Sequence, residues 1–155
     1  MGAYETHGKS DDWYTPKYIF DALGCDFDLD VSAPQEGPRY VPAKKWLSEK
    51  GEQEEWHGFV WMNPPFGNHK NKMVWIDRFI QHGNGIALMP DRTSAPWWQH
   101  LASESDLVLF MSPRVKFERP DGSIGKSPGT GTCLFGIGEK SHVPLMKCEL
   151  GVLMG

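Results

Sequence analysis

Cysteine is scarce in this sequence. Cys25, Cys133 and Cys148 are the only three in 155 residues, too few and too scattered for a disulfide framework or a zinc site, and they indicate a reducing compartment. No apolar run approaches the roughly 18–20 residues a membrane span needs, which excludes a membrane anchor of that kind. The opening stretch, MGAYETHGKSDDW, lacks the apolar centre of a secretory signal. Six histidines show no metal-ligand spacing, so no metal site is expected. Positive charge is not in excess either. A net charge of −4 argues against non-specific coating of nucleic acid but leaves room for a local basic face. There is no internal repeat and no low-complexity tract, and 39% apolar with 23% charged residues excludes a disordered or collagen-like chain.

What is present is loop and tryptophan. Twelve prolines and 17 glycines imply long connections, and seven tryptophans offer flat faces for packing or for stacking bases. The length predicts one domain over 13–155 behind a flexible, polar 1–12. Thr15 reads as an N-cap with Pro16 at the first helical position, and Gly24 as the helix stop. Phe27, Leu29 and Val31 alternate with Asp26, Asp28 and Asp30, a strand over 26–31. Residues 34–57 show no clear period, and the stretch EKGEQEE reads as solvated loop. The run 58–62 reads as a buried strand leading into Asn63-Pro64-Pro65-Phe66-Gly67.

Helical spacing of Met73, Ile76, Phe79 and Ile80 follows, then strands at 86–89 and 107–111 around a helix that carries Trp97 and Trp98. One of these two tryptophans is expected in the core and the other is a candidate substrate contact. Segments 114–117 and 132–137 read as a hairpin. The expectation is an α/β fold: a mostly parallel sheet with helices on both faces and an antiparallel C-terminal edge hairpin. Ligands of such sheets bind beyond the carboxyl ends of the strands, where Asp30-Val31-Ser32 and Asn63–Phe66 both fall.

The Asn-Pro-Pro-Phe turn has a chemical meaning. Each proline restricts the residue before it, has a fixed φ and lacks an N–H. The turn is therefore stiff and rich in acceptors. The Asn63 side-chain carbonyl and the Pro64 backbone carbonyl can converge on one NH₂ group while Phe66 lies beside the ring that carries it. Such a nitrogen is a poor nucleophile because its lone pair is delocalised, and two accepted hydrogen bonds favour a pyramidal nitrogen with a localised pair. Attack on an activated methyl group then needs orientation and electrostatics but no covalent enzyme intermediate. Methylation at a pyrimidine carbon would need a cysteine nucleophile, and no cysteine lies beside the turn.

At these residues the chain resembles phage-type DNA N-6-adenine methyltransferases. The ordered set Trp13-Tyr14-Thr15-Pro16, Phe27–Ala33, Trp61-x-Asn63-Pro64-Pro65-Phe66-Gly67, Met89-Pro90, Trp97-Trp98 and Arg114–Phe117 carries the resemblance over roughly 12–138. It implies a Rossmann-like methyltransferase fold that uses S-adenosyl-L-methionine, acts on a flipped adenine in DNA, and works in the cytoplasm, that of the host if the chain is phage-encoded. It implies Asn63, Pro64, Pro65 and Phe66 at the target base, and Trp13, Thr15, Pro16, Asp30 and Ser32 at the cofactor.

Two departures stand out: no Gly-x-Gly follows the first strand, and the chain leaves no room for a separate target-recognition domain. Lys70, Lys72, Arg114 and Lys116, with His69, Arg78, Arg119 and Lys126 nearby in sequence, are the candidate DNA-binding face. The turn itself also suits a cytosine amino group, an RNA adenine or a protein glutamine, and a binding module that has lost the cofactor is the alternative from another class.

Overall fold

Four α-helices and seven strands form among the residues that the computed structural model describes, namely 13–65, 69–125 and 130–155. In chain order they are α1 (Lys17–Leu23), β1 (Phe27–Asp30), β2 (Ala43–Trp46), β3 (Val60–Met62), α2 (His69–His82), β4 (Gly85–Pro90), α3 (Pro96–Glu104), β5 (Leu107–Met111), β6 (Thr132–Ile137), α4 (His142–Lys147) and β7 (Gly151–Met154). The strands make one sheet in the order β2-β1-β3-β4-β6-β5-β7. Neighbours among β1 to β4 pair in parallel, β6 is antiparallel to both β4 and β5, and β7 is antiparallel to β5. Strands β1 to β5 thus run one way, and β6 and β7 the other.

Continuous apolar runs become the central strands because both of their faces are covered. Every residue of β3, β4 and β6 is buried. On one face α1 and α4 set Ile19, Phe20, Leu23 and Leu145 against Phe27, Trp61, Leu88 and Leu134. On the other, α2 and α3 set Trp75, Ile76, Phe79 and Leu101 against Val60, Met62, Ala87 and Phe135. Each such apolar side chain contributes about 1.5–3 kcal/mol by leaving water.

Several sequence expectations change. Thr15 is not a cap: α1 begins at Lys17 with Pro16 at the cap position and no side-chain cap bond, although Gly24 does stop the helix at φ 63°. The span 34–57 contains β2 and a 3-10 turn at Gly51–Gln53. The expected C-terminal edge hairpin does not form. Residues 114–117 are not a strand, and β6 is inserted between β4 and β5, as six consecutive buried residues demand. The antiparallel edge is β7, which, like α4, has no counterpart in the sequence reading. Trp97 and Trp98 are both buried, because α3 packs beside α2 against the same face of the sheet and both rings join that core. The Trp98 ring meets Phe110 and Phe135, so neither tryptophan is presented to a substrate. The flexible 1–12 and the base-stacking Phe66 of the sequence reading lie outside the described residues.

Candidate functional site

From β1 the chain moves to β2 on one side and then to β3 on the other, so the carboxyl ends of β1 and β3 flank the point where strand order reverses. Crevices at such points are where open α/β sheets bind ligands. Asp30, the last residue of β1, is in register with Trp61 of β3, and the Val31 N–H donates to the Trp61 carbonyl at 3.1 Å. Asn63 follows one residue beyond Met62. Asp30 and Asn63 therefore stand at neighbouring strand ends.

Asp30 is a buried carboxyl group, 3% exposed. One of its oxygens accepts the Ser32 N–H at 3.1 Å, and no further hydrogen bond or ion pair reaches it from a described residue. Burial pushes its pKa up to about 7, against the lowering effect of the Ser32 N–H. The Ser32 hydroxyl beside it is buried without a partner among the described residues. A carboxyl with one oxygen unmatched and a hydroxyl without a partner at a strand end are what a ligand carrying an ammonium group and hydrogen-bonding atoms would satisfy.

Asn63 is half-buried, Pro64 buried and Pro65 exposed. The Asn63 Nδ2 donates to Thr15 Oγ1 at 3.1 Å, which leaves Oδ1 with no donor among the described residues. Thr15, freed from the capping role, is 7% exposed, and Pro16 beside it is buried too. The segment that carries Thr15 is held from outside. Tyr14 and Glu118 exchange both backbone hydrogen bonds, at 2.8 and 2.9 Å. The Tyr14 hydroxyl donates to Glu36 at 2.6 Å, and the Arg39 guanidinium stacks 3.9 Å from the Tyr14 ring centre. Arg39 also reaches Glu118 and the carbonyls of Arg119 and Pro120, while the Tyr40 hydroxyl donates to Glu118 at 2.8 Å. Trp13 is half-buried, with the Arg119 guanidinium 5.0 Å from its ring centre. This Tyr14–Arg39–Glu118 clamp was invisible in the sequence, since its members lie far apart along the chain and no local pattern joins them.

The four candidate DNA-binding residues divide into two pairs. Lys70 and Lys72 lie in the first turn of α2, just after the Asn63 turn; Lys70 is exposed, and the Lys72 Nζ sits 5.8 Å from the Trp97 ring centre. Arg114 and Lys116 are exposed on the connection that leaves the carboxyl end of β5. All four thus stand on the edge of the sheet that carries Asp30 and Asn63. Arg78 does not join them: its guanidinium stacks on Trp56 at 4.7 Å and donates to the Glu54 carbonyl. Lys126 lies outside the described residues, and of His69 only the backbone lies within them.

The thiols do not offer a nucleophile. Burial raises Cys25 to about 11 and Cys133 to about 12, and it raises Cys148 as well. Among the described residues no group of three or more His, Cys, Asp or Glu could hold a metal ion, and no helix is long and apolar enough to cross a membrane. No curated protein and no solved structure matches the chain. The family model described as DNA N-6-adenine-methyltransferase (Dam) matches residues 4–135, and the chain belongs to that family.

Proposed function

We propose that this member of the DNA N-6-adenine-methyltransferase family methylates the exocyclic amino nitrogen of an adenine turned out of the DNA stack. The observation that carries the proposal is the Asn63 carboxamide, whose Nδ2 is committed to Thr15 while Oδ1 is left to accept from an amine. The Asn63 Oδ1 and the Pro64 carbonyl accept hydrogen bonds from the two amine N–H groups, which localises the nitrogen lone pair. Phe66 supplies the flat face against which the extruded base rests. The two prolines hold the Pro64 carbonyl and the Asn63 backbone in place before the base arrives, so little reorganisation of the turn remains at the moment of reaction. The sheet is read as a Rossmann-like methyltransferase fold, with 13–155 as one domain.

S-adenosyl-L-methionine, the cofactor expected of the family, supplies an activated methyl group. The Asp30 carboxyl, with one oxygen unmatched, and the Ser32 hydroxyl fit its ammonium-bearing end. Trp13 and Pro16 form the neighbouring wall. Lys70, Lys72, Arg114 and Lys116 neutralise phosphates around the turned-out base, which lets a chain of net charge −4 engage DNA.

The test is transfer of a tritiated methyl group from S-adenosyl-L-methionine to duplex DNA, with mass spectrometry of the digested product. Methyladenine is the expected product. Asn63→Ala should lower the rate about 100–1000-fold, the usual cost of one positioned hydrogen-bonding group. Circular dichroism and calorimetry with the cofactor should show fold and cofactor binding retained. A folded Asn63→Ala variant that works at the wild-type rate, or methylcytosine as the product, refutes the proposal.

A further inference from the structure

We propose that Thr15 is a positioning residue: its hydroxyl holds the Asn63 carboxamide at the angle from which Oδ1 meets the target amine. The proposal rests on the reading of Asn63 given above. A carboxamide has one acceptor end and one donor end, and rotation about its last torsion is broad and roughly two-fold. Turned one way it offers Oδ1 to an amine. Turned the other way it offers an NH₂ group, which cannot accept an amine proton and opposes the reaction. The prolines that follow Asn63 fix the backbone of the turn but have no hold on this torsion.

Thr15 Oγ1 lies 3.1 Å from Asn63 Nδ2 and is the only polar side-chain atom among the described residues hydrogen-bonded to that carboxamide. Its own position is well determined. Thr15 is 7% exposed. Pro16 restricts it to an extended conformation. Tyr14, one residue earlier, is fastened to Glu118 by two backbone hydrogen bonds. The bond therefore joins an anchored hydroxyl to a side chain that would otherwise be free to turn. This assigns Thr15 to the orientation of the base-binding turn and not to the cofactor.

The experiment compares Thr15→Val, which keeps shape and loses the hydroxyl, with Thr15→Ser, which keeps the hydroxyl. Thr15→Val should lower kcat about 10–100-fold, as expected for a misaligned reacting group. Its affinities for the cofactor and for DNA should stay within about twofold of wild type, since neither depends on the direction of the carboxamide. Thr15→Ser should recover most of the rate. Thr15→Ala is measured alongside, so that poor folding of the valine variant does not decide the outcome.

Wild-type kcat in folded Thr15→Val overturns the proposal. So does a loss of cofactor affinity in place of the loss in kcat, or a serine variant as slow as the valine variant. Failure of the underlying reading looks different: Asn63→Ala itself would then methylate at the wild-type rate. An inactive Asn63→Ala beside a fully active Thr15→Val refutes the role of Thr15 alone.

Discussion

Replacing Asp30 by asparagine should make the unliganded protein more stable at alkaline pH while weakening its hold on the cofactor. In the unfolded chain Asp30 loses its proton near 3.8, and in the folded protein near 7. The stability that this group contributes is therefore fully present below about pH 4 and is lost as pH rises through about 7. The three-unit difference amounts to roughly 4 kcal/mol of penalty once the buried carboxyl is fully ionised. An asparagine keeps the acceptor for the Ser32 N–H and removes the charge. It adds a buried amide N–H, which costs about 1–3 kcal/mol if unmatched; the unpartnered Ser32 hydroxyl is an acceptor that can reduce this cost.

The net gain for Asp30→Asn at pH 8 is then about 1–3 kcal/mol. The more discriminating number is its change with pH. Linkage with pKa values of 3.8 and about 7 makes the advantage of the variant grow by about 2 kcal/mol between pH 5.5 and pH 8. Urea denaturation of both proteins at the two pH values measures it. An advantage equal at both pH values would mean that Asp30 bears no buried-charge penalty, and the reasoning fails. Calorimetry with S-adenosyl-L-methionine supplies the other half. The variant should lose a charge-assisted bond of about 1.5–3 kcal/mol, a drop of roughly 10–150-fold in affinity. Unchanged affinity in the folded variant would move the cofactor away from Asp30.

Two further outcomes are expected. Phe66→Ala should weaken binding of an extruded base as well as the rate, by the 1–3 kcal/mol or so of one base–aromatic stack, whereas Phe66→Tyr should retain much of the activity; gel shifts on DNA with an abasic partner opposite the target, read beside the methyl-transfer assay, separate the two effects, and equal loss in both variants would show that a flat face is not what the position supplies. Charge reversal at Lys70, Lys72, Arg114 or Lys116 should lower DNA affinity, reduce the slope of log K against log salt by about one for each phosphate no longer neutralised, and leave cofactor affinity unchanged; four variants with wild-type salt dependence would place the DNA elsewhere.

Sequence reading succeeded where one local rule controlled the outcome. Strands β3, β4 and β5 are short apolar runs, and such runs have few alternatives to a covered sheet interior. Gly24 ends α1 because only a left-handed residue closes that turn cheaply. Asp30 and the Asn63 turn could be placed at neighbouring strand ends because that placement needs only the direction of the strands. It failed where tertiary contacts outbid local preference. The four-residue β2 carries two exposed lysines at a sheet edge and shows no period in sequence. β6 looked like half of a hairpin because its partners, β4 and β5, lie before a long connection that hides the pairing. Trp97 and Trp98 looked divisible between core and surface, since adjacent helical residues point apart, yet α2 and the sheet close over both.

Thr15 shows how a correct motif can carry an incorrect local explanation. Thr-Pro before an apolar helical face satisfies the capping rule in every respect that sequence can express. A hydroxyl that caps a helix must turn inward to the first backbone N–H groups. This one instead meets a side chain 48 positions away, at the end of β3. The choice between these partners is decided by the Tyr14–Glu118 pairing, which sets where Thr15 lies relative to the sheet edge. That pairing joins the two ends of the matched region and leaves no periodic trace. The residue type was therefore legible as polar and deliberate, while its partner was determined by topology. Asn63 follows the same logic in reverse. Its place at the end of β3 could be read from the apolar run before it, but the hydroxyl that meets its carboxamide comes from a segment 48 positions earlier, so the hydrogen bonding of the turn belongs to the assembled fold and not to the motif alone.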